Sequence, residues 1–445
     1  MNTPICDFVR AYAASAPLRL HMPGHKGAGP LGVEPLDITE IGGADVLYAP
    51  AGVIAESEAN AAALFGSGKT VYSTEGSSLC IRAMLYLARL WAQTRGRAGT
   101  ILAGRNAHKT FLSAAALLDM PVEWLFPADG ALLSCPIDPA ELERRLNRRT
   151  EPPAAVYVTS PDYLGGRVDI AALAAVCHAR DTLLLVDNAH GAYLHFLSVP
   201  QHPMDLGADL CCDSAHKTLG VLTGGAYLHI SPAAPEALRQ AANRAMALFA
   251  GTSPSYLILQ SLDAMNATLA NTYSESVMST ARRVADLRDT LSAEGWDCGG
   301  SEPLKLTLCP KRRGYTGVEV AEHLAARHIV CEFADPDYIV FMFTPQLPAS
   351  ACDTLRGALC ALPPRPPLTD APPRIAASRR VLSPREAMLA PAETVPVGQS
   401  VGRVLAAPGV SCPPAVPILV CGEAIDETAV QTFRYYGIDR VEVVI

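Results

Sequence analysis

Lys217 stands in the run Asp213-Ser214-Ala215-His216-Lys217-Thr218-Leu219-Gly220, directly after an apolar stretch that reads as a strand. A single lysine in such a place is ordinarily a solvated cation. Here Ser214, His216 and Thr218 crowd it with more hydroxyl and imidazole than a turn requires. A lysine amine kept from water is a nucleophile toward an aldehyde, and neighbouring hydroxyls can hold a phosphate. Upstream, the run Thr182 to Val186 ends on Asp187 and continues Asn188-Ala189-His190-Gly191-Ala192. A buried carboxylate needs a partner: a local cap, a metal, or the nitrogen of a pyridinium ring, which such an aspartate keeps protonated and electron-accepting. The small Ala189 would let a flat ring lie against the strand end, which favours the ring.

Two further segments carry donors. In Val71-Tyr72-Ser73-Thr74-Glu75-Gly76-Ser77-Ser78-Leu79-Cys80 a strand breaks at Gly76-Ser77-Ser78 and a helix, Leu79 to Ala92, starts at once. The free N–H groups of a first helical turn attract an anion, and the hydroxyls add donors; a plain serine cap is the competing reading. Arg105-Asn106-Ala107-His108-Lys109-Thr110 also comes after a strand. The imidazole of His108 can stack on a heteroaromatic ring, although a histidine in such a loop is commonly just solvated, and Lys109 reads as surface charge. By contrast, Gly66-Ser67-Gly68-Lys69-Thr70 resembles the end of a nucleotide-phosphate loop but has Ala63 where the first glycine belongs and comes after an alanine-rich helix, which argues against ATP or GTP hydrolysis.

Positioning these groups requires strands whose carboxyl ends gather in one place, as in an open α/β sheet. Short apolar runs alternate with amphipathic stretches, the pattern of βα units and a mainly parallel sheet. The expected strands are Thr70 to Ser73, Thr100 to Ala103, Ala154 to Thr159, Thr182 to Asp187, Asp209 to Asp213 and Gly225 to His229. A long helix is expected from about Thr272 to Glu294, then a smaller α/β unit to about Leu362. Leu362 to Pro373 is a Pro-rich linker, and Ser383-Pro384-Arg385-Glu386 reads as a capping box that opens a new helix. This divides the chain into an N-terminal segment that contributes to the active site (1–60), a large cofactor-binding domain (61–280), a small α/β domain (281–362), and the linker with a C-terminal subdomain (363–445).

Composition bounds the function. With 445 residues, 49% hydrophobic and 18% charged, the chain is an ordinary globular protein large enough for several subdomains. A net charge of −8 argues against nucleic acid or an anionic membrane as partner. Thirteen cysteines without zinc-like pairing suggest neither a disulfide framework nor a metal site. The N-terminus lacks a basic start followed by an apolar core, and no stretch has the apolar length of a membrane span, so a reducing cytoplasm is expected.

The order of phosphate turn, stacking histidine, aspartate and lysine resembles that of fold-type-I pyridoxal-phosphate enzymes. More specifically, His21-Met22-Pro23-Gly24-His25-Lys26-Gly27, Asp37-Ile38-Thr39-Glu40, Val186 to Ala192, Ser214 to Leu219 and Thr252-Ser253-Pro254-Ser255-Tyr256 together resemble the ornithine/lysine/arginine decarboxylase family, as do Pro413-Pro414, Pro417 and Gly422-Glu423 near the end. The resemblance implies a fold-type-I large domain with smaller C-terminal subdomains and pyridoxal 5'-phosphate as cofactor. It implies Lys217 as the Schiff-base lysine, Asp187 paired with the ring nitrogen and His108 stacked on the ring. Gly76, Ser77, Ser78, Ser214 and His216 would hold the phosphate or line its side, with His190 nearby. Ser253 would reach the phosphate from a second subunit, in a homodimer or larger homo-oligomer. The family commonly has Glu where Asn188 stands, His where Tyr193 stands and Gln where Gly224 stands. The chain also begins almost at the Gly24-His25-Lys26 motif, as in a short form without an N-terminal wing domain.

The implied reaction is decarboxylation of a basic amino acid to its amine, with protonation at the alpha carbon by Lys217 or His216. Arginine is favoured over lysine and ornithine. The distal cation needs an acidic partner, because a buried unpaired charge is costly. The candidates are Glu40, Asp45 and Glu423, for which helix caps or a solvated turn are the alternatives. An aminotransferase or aldolase-type lyase would share the cofactor residues, and a non-catalytic cofactor-binding regulator is opposed by the intact Lys217 and Asp187.

Overall fold

The protein is described from a computed structural model, covering residues 1–127, 134–371, 373–374, 377–411 and 416–445. Pro413 and Pro414 lie outside the described residues. The large sheet contains Lys69–Ser73 (β1), Ile101–Gly104 (β2), Val122–Leu125 (β3), Ala155–Thr159 (β4), Leu183–Asp187 (β5), Leu210–Asp213 (β6) and Ala226–Ile230 (β7), in the order β1-β7-β6-β5-β4-β2-β3. It is mainly parallel; β7 runs antiparallel to both β1 and β6. The six expected strands are present with ends shifted by at most one residue. The seventh, β3, is short and carries Glu123 on an exposed position, so its four residues lack the apolar run that marks the others.

The chain forms two compact units. The first comprises Met1–Gly99, Arg149–Val156 and Ile170–Ser276. In it β5, Leu-Leu-Leu-Val-Asp, is buried at every position, as expected of a strand covered on both faces. Parallel pairing of β5 with β6 sets Asp187 opposite Cys212. The N-terminal part of this unit supplies three helices: Pro4–Ala14 (α1), with proline in its first turn; Val53–Leu64 (α2); and Ser77–Thr94 (α3). In α3 the buried residues Ile81, Met84, Leu85 and Ala88 recur at three- and four-residue spacing, the stripe a helix needs to pack on a sheet.

The second unit comprises Thr100–Arg148, Tyr157–Asp169 and Val277–Ile445. It contains β2, β3 and the helix Lys109–Leu118 (α4). It also holds an antiparallel four-stranded sheet of Asp297–Gly299 (β8), Lys305–Cys309 (β9), Phe333–Ala334 (β10) and Ile339–Met342 (β11), in the order β10-β11-β9-β8. Leu306, Leu308, Ile339 and Phe341 from this sheet pack with Val320, Leu324 and Leu359 from its helices. The expected helix at 272–294 is Tyr273–Ala293, and the Ser383–Glu386 capping box is formed in full at the start of Pro384–Leu389. A C-terminal core lies around Leu405, Ile418, Phe433 and Val443. Among the described residues, no helix is long and apolar enough to cross a membrane.

Candidate active site

The carboxyl ends of β5 and β6 present the polar residues of the first unit. Lys217 lies in the short helix Ala215–Thr218, which starts two residues beyond β6. Its Nζ is 3.1 Å from Nε2 of His190, which the turn after β5 supplies. One hydrogen bond needs one donor and one acceptor, so the two basic groups share a single proton along that line. Asp187 is buried at the end of β5, and its Oδ1 accepts the Ala189 N–H at 3.2 Å and the Cys212 thiol at 3.6 Å. Burial first, then the Asp187 charge, push the Cys212 thiol well above its ordinary value, so it stays a neutral donor.

The phosphate-type turn forms at the head of α3. Gly76 has φ +72°, a left-handed conformation open to glycine, and its N–H donates to the Gly224 carbonyl at 2.7 Å. Gly224 has φ +101°, and a Cβ there would lie 2.7 Å from the Thr74 carbonyl. Position 224 therefore requires glycine in this chain. Ser77 and Ser78 are the first two residues of α3, and the N-cap position is Gly76, so a serine N-cap does not describe this helix start. Ser214 Oγ donates to Ser77 Oγ at 2.8 Å, and His216 Nδ1 is 3.0 Å from the Gly225 carbonyl. The turn, Ser214, His216, Lys217, His190 and Asp187 thus all belong to the first unit.

The remaining predicted residues fall in both units. Ser253 is exposed on the loop before the helix Tyr256–Asn271, and Glu40 is exposed in the N-terminal segment. Asp45 turns onto the start of α2: its oxygens accept the N–H groups of Val46, Ala51, Gly52, Ile54 and Ala55. Burial opposes its ionisation, but these backbone donors hold its carboxyl below the ordinary value. In the second unit, exposed His108 caps α4, its Nδ1 accepting the Thr110 N–H at 3.2 Å. Glu423 is buried there and bound bidentately by Arg105, at 2.8 and 2.6 Å, with the Val420 N–H on the same carboxylate at 3.0 Å. Glu423 is therefore neither a solvated turn residue nor an open carboxylate.

Sequence reasoning passed over Asp213, which ends β6 as Asp187 ends β5. Asp213 is fully buried; it accepts the Asn188 side-chain N–H at 2.6 Å and His202 Nε2 at 2.9 Å, with His229 Nε2 at 3.3 Å. Burial alone would push its carboxyl up, but His202 and His229 hold it well below the carboxylate range. The repeated pattern of an apolar strand closing on Asp was the available signal.

A mainly parallel sheet with a lysine helix after one strand, a carboxylate at the end of its neighbour and a glycine-serine helix start defines the architecture of fold-type-I pyridoxal-phosphate enzymes. Consistent with this, a serine palmitoyltransferase from S. paucimobilis solved with a bound PLP-myriocin aldimine aligns with TM-score 0.57 at 14% identity, over 80% of this chain and 83% of that one. Lysine decarboxylase A from Pseudomonas aeruginosa aligns with TM-score 0.82 at 18% identity, over 99% of this chain and 80% of the other. The family model for the Orn/Lys/Arg decarboxylase major domain matches residues 3–307. An arginine decarboxylase of Halalkalibacterium halodurans is 30% identical over 474 aligned positions, covering 97% of this chain and 93% of that protein. The chain belongs to the Orn/Lys/Arg decarboxylase family and is an amino-acid decarboxylase of that type.

Proposed function

We propose that the protein is a pyridoxal-phosphate-dependent decarboxylase of a basic amino acid, with arginine as the favoured substrate. The observation that carries this reading is the Lys217–His190 pair, 3.1 Å apart, at the same end of the sheet as Asp187 and the Gly76 turn. The donor set fits the cofactor. The N-terminus of the 18-residue α3, with Ser77, Ser78 and Ser214, suits a phosphate monoester, and Asp187 suits a protonated pyridine nitrogen. When bound, the cofactor supplies an aldehyde that combines with amines and a cationic ring that takes up the electron pair freed by loss of carbon dioxide.

The chain's own groups then have distinct tasks. Lys217 provides the amine that anchors the cofactor and yields its place to the substrate amine. His190 Nε2 can take the Lys217 proton and return it, because the two atoms are already within hydrogen-bond reach. Asp187 keeps the ring nitrogen protonated, and Lys217 or His216 delivers the proton to the alpha carbon. His108 keeps the stacking role implied by the resemblance. For the distal cation, Glu40 is the strongest of the three carboxylates, since Asp45 is engaged by backbone N–H groups and Glu423 by Arg105. The similarity to the H. halodurans arginine decarboxylase supports arginine.

A homodimer is part of this reading. The first unit exposes Leu18, Leu20, Met22, Leu31, Val33 and Val46, an apolar content that a second copy would cover. Ser253, exposed, would then serve the neighbour's phosphate. The twelve described cysteines are all unpaired thiols, which fits the reducing cytoplasm.

The test is incubation of the purified protein with arginine, lysine and ornithine, measuring carbon dioxide and amine. Arginine is expected to turn over fastest, and borohydride reduction followed by peptide mapping should place the pyridoxyl group on Lys217. Label on Lys69 or Lys109, or neutral amino acids decarboxylated as fast as arginine, would overturn it. Mixing inactive Lys217→Ala and Ser253→Ala chains should restore activity in hybrids; a fully active monomer would refute the shared site.

A further inference from the structure

Asn188 sits between two residues of the proposed site, Asp187 and the His190 turn, and four contacts hold it. Its backbone N–H donates to the Cys212 carbonyl at 3.0 Å, and its own carbonyl accepts the Gly191 N–H at 2.7 Å. Its side-chain carbonyl lies so close to Gly191 that a Cβ there would come within 2.1 Å of Oδ1. Its side-chain N–H donates to Asp213 Oδ1 at 2.6 Å. The turn that carries His190 is thus registered to β6 through one carboxamide.

Asp213 in turn is fixed from the other side. His202 Nδ1 accepts the Met204 backbone N–H at 3.2 Å, and a backbone amide can only donate, so the proton of this imidazole is on Nε2. That proton points to Asp213 Oδ2 at 2.9 Å. His229 closes the group: burial holds it below its ordinary value, and its Nδ1 is 2.8 Å from Thr70 Oγ1, itself 2.8 Å from Ser67 Oγ. His202, Cys211 and Asp213 have the residue types of a metal site, with ligand atoms within 4.8 Å of one another. Yet a protonated Nε2 has no lone pair to give a metal. The hydrogen bonds assign the cluster to a directional nest around one buried carboxylate.

We propose that Asp213 and Asn188 are positioning residues that hold Asp187 and His190 in register for the cofactor, an inference that rests on the function proposed above. The pair works because one partner only accepts and the other donates. Asp213→Asn leaves one acceptor oxygen where there were two, so Asn188 keeps a bond only by turning its carboxamide over, which brings its N–H groups against Gly191 where Oδ1 now lies. Asn188→Asp would set two carboxylates at hydrogen-bond distance, which repel unless a proton is taken up between them, so the contact becomes pH-dependent. Exchanging both, Asn188→Asp with Asp213→Asn, restores the complement: the new amide at 213 donates to position 188, and its carbonyl accepts from His202.

The experiment measures the dissociation constant of pyridoxal phosphate and the absorbance of the bound cofactor across pH, for the parent, the two single variants and the exchange. Thermal melts of the cofactor-free proteins serve as a folding control. Each single variant is expected to bind at least about tenfold more weakly and to shift the pH midpoint of the absorbance. The exchange should recover to within about threefold of the parent, with its midpoint. A parent that takes up no pyridoxal phosphate would refute the proposed function and this inference with it. Should the parent bind while the folded single variants match it in affinity and spectrum, the inference alone fails. An exchange no better than the single variants, or one that does not fold, would also overturn it, since the hydrogen-bond complement would then be restored without effect.

Discussion

In the first unit Lys217 Nζ meets His190 Nε2 at 3.1 Å; in the second, the Arg105 guanidinium meets Glu423 through bonds of 2.8 and 2.6 Å. In the first contact an amine and an imidazole meet in one hydrogen bond. The second joins a permanent cation to a carboxylate in fork-to-fork geometry, with a backbone N–H on the same carboxylate and the guanidinium 5.1 Å from the Trp124 ring centre. An ion pair of this kind, its carboxylate bound on both oxygens, resists proton transfer and holds structure. A pair of bases leaves a proton that can move, which nucleophilic chemistry needs. The difference teaches that burial and charge alone do not mark a reactive site; a hydrogen bond between two groups that can each take up its proton does.

The largest expected effect separates the two pairs by activity. Lys217→Ala should lower turnover on the order of a thousandfold or more while leaving the melting temperature within a few degrees of the parent, because it removes the nucleophile from a half-buried position. Release of carbon dioxide from arginine reports it, and substantial residual turnover would dissolve the contrast.

Next in size is a loss of stability at the second pair. Glu423→Ala leaves the buried Arg105 guanidinium without its counter-charge and should cost about 3–5 kcal/mol in denaturant unfolding. Replacing both partners by apolar residues, Arg105→Met with Glu423→Leu, should cost much less. A Glu423→Ala protein of unchanged stability but raised KM for arginine would move Glu423 to the substrate side of the comparison.

Asp45 is likewise a carboxylate bound on both oxygens, with backbone donors in place of a guanidinium. Asp45→Ala should destabilise the protein by about 1 kcal/mol, the usual cost of a lost helix cap, without changing the KM for arginine. Glu40→Ala, on an exposed carboxylate, should do the reverse.

The smallest readout is a pH trend from Glu58, a buried carboxyl that accepts the Tyr72 backbone N–H at 2.9 Å. Burial lifts it from 4.5 to about 8, against the opposing pull of that N–H. The folded protein therefore keeps a proton that the unfolded chain releases above 4.5, so this contribution to stability is complete below 4.5 and is lost as pH rises through about 8. The melting temperature should fall over that window, and Glu58→Gln should flatten the fall. An unchanged slope in the variant would show that Glu58 is not the group responsible.

The strands and the residues at their ends were legible in the chain because both are local signals. A short, fully apolar run such as Leu183 to Val186 that closes on a polar residue reads as a covered strand, and a lysine among hydroxyls after such a run stands out without knowledge of its neighbours. The glycine-serine break before α3 was equally plain, since only a left-handed turn lets the strand run directly into the helix. The short strand β3 was not, because its exposed glutamate interrupts the apolar run by which the equally short β2 and β6 are recognised.

Tertiary structure alone decided which partner each polar group received. Glu423 and Arg105 are 318 positions apart, and Arg105, in a loop of polar residues, gave no sign of being buried. Asp187 and Asp213 end neighbouring strands with the same local pattern, yet the second is enclosed by His202, His229 and Asn188. Sequence determined where charges sit along the chain. Packing determined which groups each of them meets, because the energy of a buried charge depends on the groups folded around it and those come from distant segments.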